Sequence, residues 1–134
     1  MLRIIQSRRA AFTLVEIMIV VGLISLLAMI AVPQFIRARQ RAQASTILNE
    51  ARQLDAAKDQ YALETQRTGT MVPVWNDLTP YLKVGSRLAV SGGTDLVGNP
   101  FSLNTVSVSI QVHSSTQSSL TAATGGSTFW GPYS

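Results

Sequence analysis

The chain reads as an α+β protein: a long N-terminal helix, one half built for a membrane and the other amphipathic, packed on a small antiparallel β-sheet. Three observations predict this. Phe12 to Val32 is an apolar run broken by a single ionisable side chain, Glu16. From Gln34 to about Arg67 the sequence holds neither Gly nor Pro and is rich in Ala, Arg, Gln, Leu and Glu, all good helix formers. Beyond Gly69 it turns to Ser, Thr, Gly and Val, with short alternating runs between turn residues.

The apolar run comes first. At about 1.5 Å per residue a helix from Phe12 to Val32 is roughly 30 Å long, the thickness of a hydrocarbon layer. Arg3, Arg8 and Arg9 precede it with no acid among them, which by the positive-inside rule holds the N-terminus in the cytoplasm and exports everything after Val32. A conventional secretory signal has a shorter apolar core ending in a small-x-small site, and Met29 in Ala28-Met29-Ile30-Ala31 spoils such a site here. Glu16 is the anomaly. An unpaired carboxylate in lipid costs a few kcal/mol, so it marks a functional residue whose partner has to be found. The plainer alternative is a glutamate that reaches the headgroups, since it lies only about 6 Å from Phe12 along the helix axis.

The segment Ala11-Phe12-Thr13-Leu14-Val15-Glu16 resembles the prepilin signal of type IV pilins and type II secretion pseudopilins. The resemblance implies a leader over 1–11, cleavage by prepilin peptidase between Ala11 and Phe12, and methylation of the new Phe12 amine. Ala11 stands where the family usually has Gly. It also implies a role for Glu16: in a filament cored by these helices, the Glu16 carboxylate of one subunit pairs with the Phe12 amine of its neighbour. That amine adds to the positive character of the free N–H groups at a helix start. Because desolvating two ions offsets much of their attraction, the pair sets register more than it stabilises. Pro33 falls where many family members carry a proline, and a kink is expected there because proline lacks the N–H of the helical ladder. The expected organisation is therefore leader 1–11, transmembrane and filament-core helix 12–32, amphipathic continuation 33–67, and a small β-rich exported region 68–134.

In the continuation, Ala44, Ile47, Ala51, Leu54, Lys58 and Tyr61 recur at three- and four-residue steps, with Leu48 and Ala62 at the edge of that face. This face is expected to bury the exported region. Arg52, Asp55, Asp59 and Arg67 occupy the opposite face and Glu50 the side, a solvated surface with modest pairing. Lys58 in the apolar stripe reads as a snorkelling lysine. Arg37, Arg39 and Arg41 cluster just past the membrane end, where basic residues meet lipid phosphates. Thr68-Gly69-Thr70 is the expected stop.

In the exported region, Val72 to Lys83 reads as a loop and short turn placing Trp75, Leu78 and Tyr81 on one side, over the helix. Arg87 to Val90 and Phe101 to Leu103 are short strand candidates. Val106-Ser107-Val108-Ser109-Ile110-Gln111-Val112 alternates without a break and is the clearest strand, its apolar side chains toward the helix. Ser91-Gly92-Gly93 and Gly98-Asn99-Pro100 are turns. Ser114–Ser119 and Thr121–Ser127 read as loops, and the closing Phe129-Trp130-Gly131-Pro132-Tyr133 as either docked on the core or standing on a filament surface, docking being the expectation because exposed large aromatics are costly. Two stretches extend the resemblance. Asp95 to Phe101 is similar to a segment of major pseudopilins, and Arg52–Glu64 with Trp75–Lys83 to a bacterial subgroup of pilin-like proteins.

Composition narrows the function. The sequence pI of about 10.1 rests on a charge of +4, but three of the arginines sit before the apolar run and the rest of the chain is close to neutral, so no nucleic-acid partner is expected. There is no cysteine and hence no disulfide. A calcium site of the pseudopilin type is not expected, because no Asp or Glu follows Asp95 and calcium prefers several carboxylates. No metal or cofactor is expected at all. His113 reads as an ordinary strand or loop residue, and with one histidine and no nucleophile-base pattern the chain is not expected to be an enzyme. What remains is a structural subunit held in the bacterial inner membrane by one span and assembled with copies of itself. The resemblance implies prepilin peptidase, an assembly ATPase and a platform protein as partners, and leaves a type IV pilus, a secretion pseudopilus and a DNA-uptake filament open. The competing class is an exported binding or enzymatic domain that borrows a pilin-like anchor. The thin C-terminal half leaves little room for its pocket.

Overall fold

The computed structural model describes residues 12–67 and 69–134, so the expected leader 1–11 and Thr68 lie outside the described residues. The chain divides into two compact units, one up to Ile36 and one from Arg37 to Ser134.

Helix α1 runs Leu14–Thr65, 52 residues with Pro33 inside it. Its start follows from local chemistry. The Thr13 hydroxyl accepts the Glu16 backbone N–H at 3.2 Å and the Thr13 carbonyl accepts the Ile17 N–H at 3.3 Å, which satisfies donors that a helix start otherwise leaves free. The Thr-x-x-Glu spacing is that of a capping box. α1 stops at Thr65, earlier than the expected stop at Gly69, because Gln66 takes a left-handed backbone at φ 50°.

In the second unit α1 buries the face the periodicity predicts. Ala44, Ile47, Ala51 and Leu54 are fully buried, Lys58 and Tyr61 nearly so, and Glu50 and Ala57 join them. Onto this face pack Leu78 and Leu82, Leu88, Phe101, Ile110, Val112, Leu120 and Trp130. Each such apolar side chain contributes about 1.5–3 kcal/mol on burial.

The cover is helical and irregular. α2 (Trp75–Leu78) continues into a 3₁₀ turn at Thr79–Tyr81, α3 spans Arg87–Val90, and α4 spans Ser114–Thr124. Trp75 and Tyr81 pack partly buried against the core, with Tyr61 and Tyr81 edge to face at 6.2 Å. The docking expected of the closing segment is observed: Trp130 is 1% exposed and meets Phe129 edge to face at 5.2 Å.

The antiparallel sheet expected from sequence is a correction. Among the described residues there is no strand, only isolated antiparallel bridges Thr94↔Pro100 and Ser102↔Gln111. Val106 to Val112 does bury Ile110 and Val112, but Val108 is 48% exposed. The backbone of that segment finds partners other than a ladder. Asp55 accepts the Ile110 N–H at 3.0 Å, Lys58 donates to the Val108 carbonyl at 2.5 Å, and the Tyr133 carbonyl accepts the Val112 N–H at 2.9 Å. With its donors and acceptors met by side chains and single pairings, the segment has no need of a neighbouring strand. Arg87–Val90 is a helical turn, capped by the Ser86 hydroxyl on the Ala89 N–H, instead of a strand. Ser114–Thr124 is a helix instead of loop, begun by His113, whose Nδ1 accepts the Ser115 N–H at 3.2 Å, and closed by Gly125 at φ 82°.

Candidate assembly surface

The residues singled out in the sequence fall in the first unit. Ala11 lies outside the described residues. Phe12 precedes α1 and is 76% exposed, and Glu16 stands exposed in the first turn. Pro33 lies inside α1. The structure brings none of them into an ion pair within one chain: among the described residues the salt bridges are Lys58–Asp55 and Arg87–Glu50, both in the second unit.

What surrounds Glu16 is more telling than Glu16 alone. Leu14, Val15, Ile17, Met18, Ile19 and Val20 all stand about half or more exposed, and the same holds for every large apolar side chain onward to Ile36. The helix is apolar on all sides and long enough to cross a membrane. An apolar surface of this extent is not kept in water; it is covered by lipid or by other protein.

The second unit carries polar groups that sequence reading assigned to solvent. Lys58, expected to snorkel, is 1% exposed; its ammonium lies 3.5 Å from the Asp55 carboxylate and donates to the Val108 carbonyl. The stem alone fits the apolar stripe, but the loop over it offers a carbonyl and leaves the head no path outward. Glu50 is also buried, held by a two-pronged contact in which Arg87 Nε and Nη2 donate at 2.7 and 2.5 Å. That contact raises the Arg87 pKa further above its ordinary value, mainly through the hydrogen bond. Arg87 also donates to the Thr94 and Asp95 carbonyls. Asp95, 3% exposed, accepts the Val97 and Asn99 N–H groups through one oxygen, each at 2.9 Å, and the Thr116 hydroxyl through the other. One polar chain thus joins α1, the 94–99 loop and α4. Arg41 adds a second tie, donating from Nε to the Ala123 carbonyl at 2.7 Å at the end of α4.

At the far end of α1, Tyr81 donates to Glu64 at 2.5 Å, which raises the phenol pKa above 10.0. Burial, first among several causes, raises that of Tyr133. Among the described residues no cluster of His, Cys, Asp and Glu could hold a metal ion. Of the residues that sequence reading missed, Thr13 was signalled by its capping-box spacing. The Glu50–Arg87 pair, separated by 37 positions, had no local signal.

The first unit is thus a helix apolar on all sides, and the second a small unit packed on its own core. The family model of the prokaryotic N-terminal methylation motif matches residues 6–32. A type IV major fimbrial protein FimA of Dichelobacter nodosus is 36% identical over 70 residues, covering 52% of this chain and 45% of the relative. A second FimA protein of that organism is 34% identical over 70 residues, 52% of this chain and 44% of its own length. A third is 42% identical over 52 residues, 39% and 33% of the two chains. This chain therefore spans less than half the length of those relatives. No solved structure matches it significantly. Residues 6–32 thus match the N-terminal methylation motif, and about half of the chain is similar to type IV major fimbrial proteins.

Proposed function

We propose that the protein is a structural subunit of a type IV pilus, stored in the inner membrane by the apolar half of α1 and assembled with copies of itself. The reading has the chain cut by prepilin peptidase between Ala11 and Phe12, the Phe12 amine methylated, and the exported part facing away from the cytoplasm. An assembly ATPase and a platform protein drive extraction from the membrane. In the filament, Glu16 of one subunit neutralises the Phe12 amine of the next, and Pro33 bends the helix where lipid gives way to water. The subunit is structural and performs no catalysis.

The observation that carries this reading is the exposure of α1 from Leu14 to Ile36, apolar on every side around one carboxylate with no ion-pair partner among the described residues, within a stretch that the methylation motif matches. Lipid accounts for the apolar surface alone. Packing against other copies after cleavage accounts for both the surface and the acid, because cleavage creates the positive charge that Glu16 lacks. The fimbrial relatives favour a pilus over a secretion pseudopilus.

Intact mass and N-terminal sequencing of the protein isolated from membranes test it. The expected product begins at N-methylated Phe12. A product beginning at Met1, or after Ala31, sinks the reading.

A further inference from the structure

We propose that Arg37 and Arg39 bind the phosphates of anionic lipid headgroups on the exported side of the membrane. This rests on the membrane-anchor part of the reading above and names the chemistry met where the anchor ends.

The charges here are concentrated and lack a counterpart. Arg37 directly follows Ile36, the last large apolar side chain of the exposed run that begins at Phe12. Arg37, Arg39 and Arg41 stand on α1 at alternate positions, and no Asp or Glu falls between Glu16 and Glu50. All three arginines are exposed, and neither salt bridge among the described residues involves them. Arg37 and Arg41 are four residues apart on one helix face, where like charges repel unless an anion sits between them.

The three differ in how free they are. Arg41 is already engaged, its Nε donating to the Ala123 carbonyl at 2.7 Å at the end of α4. Arg37 and Arg39 lie about 200° apart around the helix axis, so they reach to nearly opposite sides. Between and beyond them stand the small side chains of Ala38 and Ala42, which leave the guanidinium groups uncovered. The planar fork of arginine meets two phosphate oxygens at once, a match that a lysine ammonium does not offer.

Position and shape favour a lipid phosphate over a free one. Arg37 to Arg41 spans about 6 Å along the axis, and the headgroup layer between hydrocarbon and water is roughly 5–8 Å deep. Both arginines lie on the outside of a helix, a shape that does not enclose a dissolved ion. An anion at this surface has to be held by something else, and a membrane covering the apolar run holds its own phosphates at this level. Each arginine near an anionic surface strengthens the attraction about fivefold.

The test uses the full chain in a non-ionic detergent, mixed with equal amounts of phosphatidylglycerol and phosphatidylcholine, with native mass spectrometry counting the lipids retained. The unaltered chain is expected to retain several-fold more phosphatidylglycerol. The Arg37→Gln, Arg39→Gln double variant should lose most of that preference with its circular dichroism unchanged, although Arg3, Arg8 and Arg9 are still present. The Arg37→Lys, Arg39→Lys double variant keeps the charge and should keep part of the preference. Equal retention of the two lipids by the unaltered chain overturns the proposal, and so does a preference that survives the glutamine variant. Loss of filaments in the glutamine variant with its lipid preference intact would assign the arginines to a neighbouring subunit and also overturn it. Excess inorganic phosphate should leave the phosphatidylglycerol count unchanged; displacement by it would show a free-anion contact and defeat the lipid assignment. Release of the unaltered chain from membranes by alkaline carbonate would instead defeat the anchor reading on which the proposal rests.

Discussion

The two units solve opposite problems with the same helix type. From Leu14 to Ile36, α1 exposes its apolar side chains in every direction and carries one charge that has no ion-pair partner among the described residues. From Arg37 onward, α1 sorts its residues by face, buries the apolar one, and pairs even its intruding charges: Lys58 with Asp55 and a carbonyl, Glu50 with Arg87. The first stretch is unfinished until something covers it. The second is finished within the chain. The lesson is that a lone unpaired acid means more in an unpacked helix than a fully buried lysine does in a packed one, because the buried lysine already has its partners.

The largest expected effect breaks this contrast at its first term. Glu16→Ala should reduce filament yield more than tenfold, as counted by electron microscopy, while N-terminal sequencing still finds cleavage before Phe12 and circular dichroism of the detergent-solubilised protein is unchanged. Normal filaments from that variant would falsify the pairing role. On the second unit, Trp130→Ala removes the largest buried side chain and should lower unfolding free energy by about 3–5 kcal/mol in denaturant titrations of the full chain in detergent. Lys58→Ala should cost about 2–3 kcal/mol, since it strands the Asp55 carboxylate and the Val108 carbonyl together. Lys58→Met should cost clearly less, because the stem packing is kept. If Lys58→Met is as stable as the unaltered chain, the ammonium contributes nothing and the contrast between the units weakens. Glu50→Gln should cost about 1 kcal/mol, a modest figure because Arg87 is 38% exposed and water screens the pair.

The smallest effect is spectroscopic. The Tyr81 phenol is held above 10.0 by its hydrogen bond to Glu64. The folded state therefore prefers the protonated phenol. That contribution is complete below the unfolded pKa and is lost as pH rises through the higher folded value. Absorbance titration of tyrosinate should show one phenol ionising late, and Glu64→Gln should move it back toward the ordinary range. An unchanged titration curve in that variant would remove the bond.

The half of the fold that was legible in sequence is the half where side-chain period and backbone structure coincide. Ala44, Ile47, Ala51, Leu54 and Tyr61 repeat at helical spacing, and the helix buries them as a set. The cover was misread for identifiable reasons. Val106 to Val112 has the alternation of a strand, but alternation reports only which side chains face inward, and the backbone partners came from Asp55, Lys58 and Tyr133, far off in sequence. α4 is rich in Ser and Thr, poor helix formers, so composition spoke for loop. Its caps at His113 and Gly125 were the overlooked signals. For the candidate site, the acid and its apolar surroundings were plain from sequence, and the capping-box spacing that starts α1 was present though unread. The Glu50–Arg87 and Asp95–Thr116 pairs were not, since no short-range pattern encodes a contact made across tens of residues.

The grip that Asp55 and Lys58 exert on the 108–110 stretch has a mechanical meaning. A strand ladder pulled along its length loads many bonds at once and resists as a block. A covering held by separate side-chain bonds, at Ile110, Val108, Glu50 and Ala123, is loaded one fastening at a time. Beneath those fastenings Leu78, Leu88, Ile110, Leu120 and Trp130 pack on the helix, so a pull along α1 meets the buried core as well as each bond in turn.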